Sequence, residues 1–451
     1  MTANPKNRST AGEHEVPTAP GRLPLLGHTA AMLRQRLDFT AGLRKRGDVV
    51  RVDLGTLPVY FVTTAELAHQ VLTEQTDKFD KGVLVDKLRQ AFGNGLVSTN
   101  GEFYRRQRRM IQPAFHRGPM RGYADTMTEL AAGLVDSWRD GQVVHVDRVM
   151  QQFAISVVGR TLFSTDFGAA VGAEIRTHTP TLIRLGVVRA LTSSGLLERL
   201  PIAANRRFDE AIAHVHRVVD EVVESAREGR EDLLSTLVGA RDEAGEPMSR
   251  QQVRDEVVTL LTAGSETTGL MLAWLFHELG QHPHVEEAVH AEAVAVLGDR
   301  PATAEDLPRL DYTRRVITEV LRRYTLWFVT RRSNTAVTLG GVDLPAGTEV
   351  GYSPHALHHD PRYHPAPSSF DPDRWLPDRA ASVPRGAYIP FASGLHHCPG
   401  HAFALTELAI VAATVAARWR LVPVPGKSVH PKVTGLVYPS QLPMTAVARH
   451  R

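Results

Sequence analysis

The ten residues Phe391-Ala392-Ser393-Gly394-Leu395-His396-His397-Cys398-Pro399-Gly400 contain the only cysteine in a chain of 451 residues. They read as a loop running into a helix. Glycines let a backbone turn tightly around a bulky planar group, and amides near a helix start hydrogen-bond a sulfur anion and lower its thiol pKa. A metal-bound thiolate requires both. Taken alone the stretch has other readings: a buried structural cysteine, a Cys–His nucleophilic pair, or a zinc site from His396, His397 and Cys398, whose adjacent ligands converge poorly on one ion. A single cysteine leaves no internal disulfide, cysteine-built zinc cluster or iron–sulfur cluster.

Upstream, the longest helical candidate runs from Gln252 to about Gln281, before Pro283. At 1.5 Å per residue it spans roughly 45 Å, a whole domain. Val257, Leu260, Leu261, Leu270, Leu272, Leu275 and Leu279 make it apolar on most faces, as in a buried central helix. Inside it lies the polar run Ala263-Gly264-Ser265-Glu266-Thr267-Thr268, too far from either end to be a cap. Gly264 weakens the helix and Thr267 competes for backbone carbonyls, which predicts a local widening. An acid followed by an alcohol forms a proton relay.

The segments DVVRVDL (48–54) and VYFV (59–62) read as a hairpin, and TAVTLGGVDLPAGTEVGY (335–352) as further short strands with Gly-Gly and Pro-Ala-Gly turns. Most of the remainder has helical periodicity. The expected fold is mainly α, with a small β portion gathered from both ends of the sequence. No linker divides the chain, which gives a flexible polar tail over 1–20 and one domain over 21–451. The composition, 43% hydrophobic and 22% charged, is that of a globular protein with a large core. A net charge of +3, from 52 basic and 49 acidic residues, gives no case for nucleic acid. The opening residues lack the apolar h-region of a signal peptide and any membrane span, which predicts a cytoplasmic protein without a membrane anchor.

Phe391-x-x-Gly394-x-His396-x-Cys398-x-Gly400 resembles the haem-binding loop of cytochromes P-450, in which the thiolate donates electron density to iron and favours O–O cleavage. The resemblance covers nearly the whole chain, from PGRLPLLGH to the end. It implies a monooxygenase with haem b between the long central helix and the cysteine-loop helix, and Cys398 as the axial iron ligand. Phe391, Gly394 and Gly400 shape the loop, and His396 stands where an arginine often bonds a haem propionate. Ala263 and Gly264 lie over the haem, and Glu266 and Thr267 match the oxygen-activating acid and alcohol. Glu319 and Arg322, three apart on one helical face, with Arg374 of FDPDRW, match a structural triad that holds the cysteine loop. The stretch from Gly101 to Phe115 is an amphipathic helix with Phe103, Met110, Ile111 and Ala114 on one face. On its border Tyr104 and Arg108 match a propionate-binding pair, and Arg331 or Arg332 holds the other propionate. Arg105, Arg106 and Arg109 point away from that face: a solvated surface, or a docking patch for an acidic ferredoxin or flavodoxin. Such a partner, with its reductase, carries electrons from NAD(P)H, because the chain has no flavin, nicotinamide or iron–sulfur module.

By the same resemblance the substrate is lined by four segments: Val83, Leu84, Val85, Leu88 and Phe92; Thr262 with Ala263; Trp327, Phe328 and Val329; and Leu436 with Val437. This lining is apolar, without a charge to fix a carboxylate or amine, and fits a compact hydrocarbon-like ligand. RRQRRMIQPAF, ANRRFDEA and FDPDRWLPDRA look like stretches of bacterial sesquiterpene-oxidising members. The expected reaction inserts one atom of O2 into an apolar terpenoid in a natural-product pathway, with successive oxidations possible at one carbon. A polyketide, steroid or fatty-acid substrate, a peroxide-using enzyme and a non-catalytic haem sensor are the alternatives. A monomer is expected.

Overall fold

The computed structural model describes residues 16–162, 169–192, 200–224 and 232–449. Its axis is the helix Arg250–Gln281. The helix starts where it does because Ser249 and Gln252 cap each other reciprocally: the Gln252 amide donates to Ser249 Oγ at 3.2 Å, and the Ser249 amide to Gln252 Oε1 at 2.7 Å. Pro283 opens the next helix, Pro283–Leu297, immediately behind it. The central helix is buried along most of its length, against Val146–Leu162 on one side and the cysteine-loop helix His401–Arg418 on another. That last helix is long and apolar enough by composition to cross a membrane, but most of it is buried among Arg117–Asp136, Pro283–Leu297 and the central helix.

The β portion joins distant parts of the chain, as expected. A five-stranded sheet has the order Val49–Leu54, Leu57–Val62, Glu349–Tyr352, Val329–Ser333, Phe79–Lys81, so the N-terminal hairpin continues into strands from beyond the central helix. Only the pairing of Leu57–Val62 with Glu349–Tyr352 is parallel. The Gly-Gly turn lies between Val337–Leu339 and Val342–Leu344, with φ of +57° at Gly340 and +79° at Gly341, the left-handed geometry that a two-residue hairpin needs. Residues 17–19, counted above with the tail, belong to the fold: Ala19 is 4% exposed and its amide donates to the Arg51 carbonyl at 2.9 Å. Residues 1–15 lie outside the described residues.

The expected widening at Gly264 is not present. The central helix is α throughout, and the Ser265, Thr267 and Thr268 hydroxyls return their protons to the carbonyls four residues back, which satisfies them without breaking the ladder.

Candidate active site

Cys398 is placed by backbone contacts made to its loop. Its amide donates to the Phe391 carbonyl at 2.9 Å, closing the turn. Gly394, at φ +64°, passes so close to the Leu72 carbonyl that a Cβ there would stand 1.9 Å from the oxygen, so no other residue fits. From the helix Gly101–Ile111, the Tyr104 hydroxyl donates to the Leu395 carbonyl at 2.8 Å and Arg108 Nη1 to the His397 carbonyl at 2.7 Å. Burial pushes the Cys398 thiol up, and the Gly400 amide and Arg108 only partly oppose it. The helix-start amides therefore act in the expected direction but do not make a thiolate by themselves, and a bound cation completes the task.

Above the loop, Ala263 and Thr267 are the exposed positions on an otherwise buried stretch of the central helix, four residues apart on one face. Their neighbour Thr268 meets Glu407 of the cysteine-loop helix. Glu266 points the other way, into protein. Gln151 Nε2 donates to its Oε2 at 2.7 Å. Its Oε1 is buried without a partner, as is the Tyr438 hydroxyl, the neighbour with which it interacts most closely. Burial pushes the Glu266 carboxyl above its usual range, opposed by Tyr438 and Gln151.

Three basic side chains and a histidine gather near Cys398. Lys81 lies 4.2 Å over the Tyr104 ring and donates to the Leu96 and Thr99 carbonyls at 2.5 and 2.9 Å. His396 packs on Tyr104 with ring centroids 4.7 Å apart, and its ring nitrogens are buried, with the Phe79 backbone as the neighbouring polar group. Arg331 is 5% exposed, donates to the Thr330 carbonyl at 3.1 Å, and has no carboxylate partner among the described residues. Arg108 completes the set, since it, Arg331 and Lys81 all act electrostatically on His396. Burial, then Arg331, lowers Lys81 to about 7, and burial with the same cations pushes His396 to about 3. The acid facing Lys81 is Glu256, itself raised to about 8 by burial. Buried cations without anions are costly. Two propionates would neutralise Lys81, Arg331 and Arg108, and the one N–H of neutral His396 would be a further donor, so the residues fit haem. Lys81 was missed at the sequence level because a lone lysine before a predicted loop carries no spacing signal.

The two arginines differ in their partners. Arg332 pairs with Asp86 at 2.7 Å and Glu349 at 2.6 Å and is not available to a propionate. Successive strand residues face opposite sides, so Arg331 and Arg332 cannot both reach the haem.

The docking patch also changes. Arg106 does not face solvent: its Nε is 2.6 Å from Asp242 and its side chain 22% exposed. Arg105 and Arg109 are exposed, 44% and 52%, although both approach Glu102 and Arg109 also approaches Glu243. On the same helix Phe103 is 37% exposed, not part of the apolar face, while Gln107 is fully buried. The face is rotated from expectation because Gln107, with neither amide atom paired, turns into the interior in its place.

Glu319, Arg322 and Arg374 lie together. Glu319 and Arg322 are both 0% exposed, with Arg322 Nε and Nη2 at 2.9 and 2.8 Å from the carboxylate, and Arg374 Nε 3.5 Å away. His358, missed in the sequence, links this group to the cysteine loop. Arg322 Nη1 donates to the His358 carbonyl at 2.8 Å, and His358 Nε2 accepts from the Ile389 amide at 2.8 Å, two residues before Phe391.

Of the expected lining, Leu84, Val85, Leu88 and Val329 are half-exposed, whereas Val83, Phe92, Thr262, Trp327, Phe328, Leu436 and Val437 are buried. Phe328 belongs to the core, 6.0 Å from Phe61 and 5.0 Å from Trp327 between ring centroids. The Val437 carbonyl takes the Trp274 indole N–H at 2.6 Å, which ties the late turn to the central helix. The helix Ala169–Thr192 closes over these segments through Gly186 against Leu88 and Val187 against Gly435.

Comparison with known proteins agrees with this geometry. The chain is 45% identical over 438 residues to cyclooctat-9-en-7-ol 5-monooxygenase of Streptomyces melanosporofaciens, covering 96% of this chain and 95% of that protein. It is 41% identical to cyclooctatin synthase of the same organism, over 92% of each chain. It is 36% identical to pentalenene oxygenase of Streptomyces avermitilis, over 96% of this chain and 97% of the relative. Residues 17–446 match the cytochrome P-450 family, and with its lone cysteine in the loop that precedes the helix His401–Arg418, the chain belongs to that family as a haem-thiolate monooxygenase.

Proposed function

We propose that the enzyme hydroxylates an apolar terpenoid of about sesquiterpene size in a bacterial natural-product pathway, with repeated oxidation of one carbon within its reach. The observation that carries this reading is the lining: the open positions Leu84, Val85, Leu88 and Val329 are all aliphatic, and Asp86, the acid among them, is occupied by Arg332. A carboxylate or amine substrate would have no buried partner there. Relatives named for cyclooctat-9-en-7-ol and pentalenene support the same class.

Bound haem supplies dioxygen activation and transfer of one oxygen atom. Cys398 holds the iron, with the Gly400 amide and Arg108 favouring its anion. Lys81, Arg108, Arg331 and His396 hold the propionates. The Thr267 hydroxyl donates to the Ala263 carbonyl at 2.7 Å, so its oxygen is left to accept from a water. Glu266, its carboxyl raised by burial and fixed by Gln151, is the acid assigned to resupply protons on that side of the helix. Electrons come from NAD(P)H through a ferredoxin or flavodoxin and its reductase, docked beside Arg105 and Arg109. We take the protein to be cytoplasmic and monomeric.

Cyclic terpenes, fatty acids and macrolides titrated into the haem-loaded enzyme test the substrate class through the low-spin to high-spin Soret shift. Terpenes should shift the band at micromolar concentration and be hydroxylated; a saturating shift from fatty acids with none from terpenes sinks the proposal. Cys398→Ser should lack the red-shifted carbon-monoxide band, and an unchanged band would remove the ligand assignment.

A further inference from the structure

Away from the haem site, three side chains with metal-ligand chemistry meet across the two helices Ala169–Thr192 and Ala203–Glu224. Glu174 and His178 are one helical turn apart on the first, and His214 faces them from the second. His214 Nδ1 lies 2.8 Å from Glu174 Oε2. The His178 and His214 rings stack with centroids 4.3 Å apart and planes within 6°. One ligand atom from each residue lies within 4.8 Å of the others. A tetrahedral zinc site with bonds of about 2.0–2.2 Å needs its ligand atoms roughly 3.4 Å apart. Rotation of half-exposed side chains supplies the remaining ångström or so; His214 and Glu174 are 36% and 35% exposed.

The competing group is Arg217, which hydrogen-bonds His214 and lies 3.8 Å from Glu174. It is 57% exposed and free to swing into solvent.

We propose that Glu174, His178 and His214 form a site for one divalent transition-metal ion, zinc by the borderline character of two imidazoles and a carboxylate, which pins these two helices together. The first of them covers the substrate segments: Gly186 rests against Leu88, and Val187 against Gly435 of the late turn. On the proposed reading that substrate lies beneath this helix, a metal bridge at Glu174/His178/His214 restrains its cover, and bound zinc slows substrate entry.

The test uses the haem-loaded, tag-free protein stripped with chelator. Zinc chloride is titrated by calorimetry, and bound zinc is counted by elemental analysis after dialysis. One equivalent should bind, with affinity at least tenfold weaker in His214→Ala and in His178→Ala, and roughly fivefold stronger in Arg217→Ala, where the competing charge is gone. The rate of the terpene-induced Soret shift should fall on adding zinc to the parent and stay unchanged in the His178→Ala/His214→Ala protein. These are surface substitutions, and the carbon-monoxide band reports that each variant is folded. Equal zinc affinity in the parent and the double variant overturns the site. A parent whose substrate entry ignores bound zinc overturns the clamp.

Discussion

Glu319→Gln is the perturbation with the largest expected effect away from the haem. Glu319 accepts from Arg322 Nε and Nη2 at 2.9 and 2.8 Å, from Trp375 Nε1 at 2.9 Å and from the Asp371 amide at 3.2 Å, with Arg374 Nε at 3.5 Å. Glutamine keeps the shape and one acceptor oxygen but removes the charge between two guanidiniums, of which Arg322 is 0% and Arg374 4% exposed. Removing one partner of a buried pair costs about 3–5 kcal/mol. With two cations stranded, the upper end applies, roughly 5 kcal/mol against a total stability of about 5–15 kcal/mol. Urea unfolding, followed by circular dichroism and Soret absorbance, measures the loss. The triple replacement Glu319→Leu/Arg322→Met/Arg374→Met should recover more than half of it, because no stranded charge remains. It should nevertheless bind haem with a shifted carbon-monoxide band, since the path from Arg322 through His358 to Ile389 is cut. A loss under about 1 kcal/mol in Glu319→Gln would refute the reasoning, because it would mean water reaches a network that the structure shows as sealed.

Four further outcomes are expected. Arg331→Gln should speed haem transfer to apomyoglobin at least tenfold, whereas Arg332→Gln should leave that rate near the parent's; the reverse order would reassign the propionate ligand. Thr267→Ala should bind haem and substrate normally but divert NAD(P)H consumption to hydrogen peroxide, and Gln151→Leu should lower turnover and move its pH profile without altering the spin shift; unchanged coupling in Thr267→Ala would leave that residue a plain helix position. Glu256 binds its proton more tightly folded, at about 8, than unfolded, so its contribution to stability is full below the unfolded value near 4.5 and is lost as pH rises to about 8. Glu256→Gln should therefore flatten the stability of the haem-free protein between pH 5 and 9, and an unaltered slope would show that Glu256 ionises freely. Neutralising Arg105 and Arg109 together should slow reduction by ferredoxin and weaken its salt dependence, and adding Arg106→Gln should bring no further kinetic change; a large additional loss of reduction rate from Arg106→Gln would return that residue to the docking surface.

The sequence by itself determined the fold class, the cysteine loop, the acid–alcohol pair and the Glu319–Arg322 pair, because each depends on local order. A helix places residues three or four apart on one face, and a loop turns where glycine stands, whatever surrounds them. It determined the β portion for a similar reason, since short β-branched runs beside turn residues mark strands wherever they pair. What it left undecided needed partners far along the chain. Arg331 and Arg332 are alike until Asp86 and Glu349 take the second. Arg106 looks like any surface arginine until Asp242, 136 residues later, comes beside it. Lys81, His358, Gln151 and Tyr438 have no motif; they matter because sheet register, loop packing and the contact between Val146–Leu162 and the central helix bring them to the haem side, the cysteine loop and Glu266. Burial, the cause of every large protonation shift at this site, belongs to the packed interior and has no counterpart in local sequence.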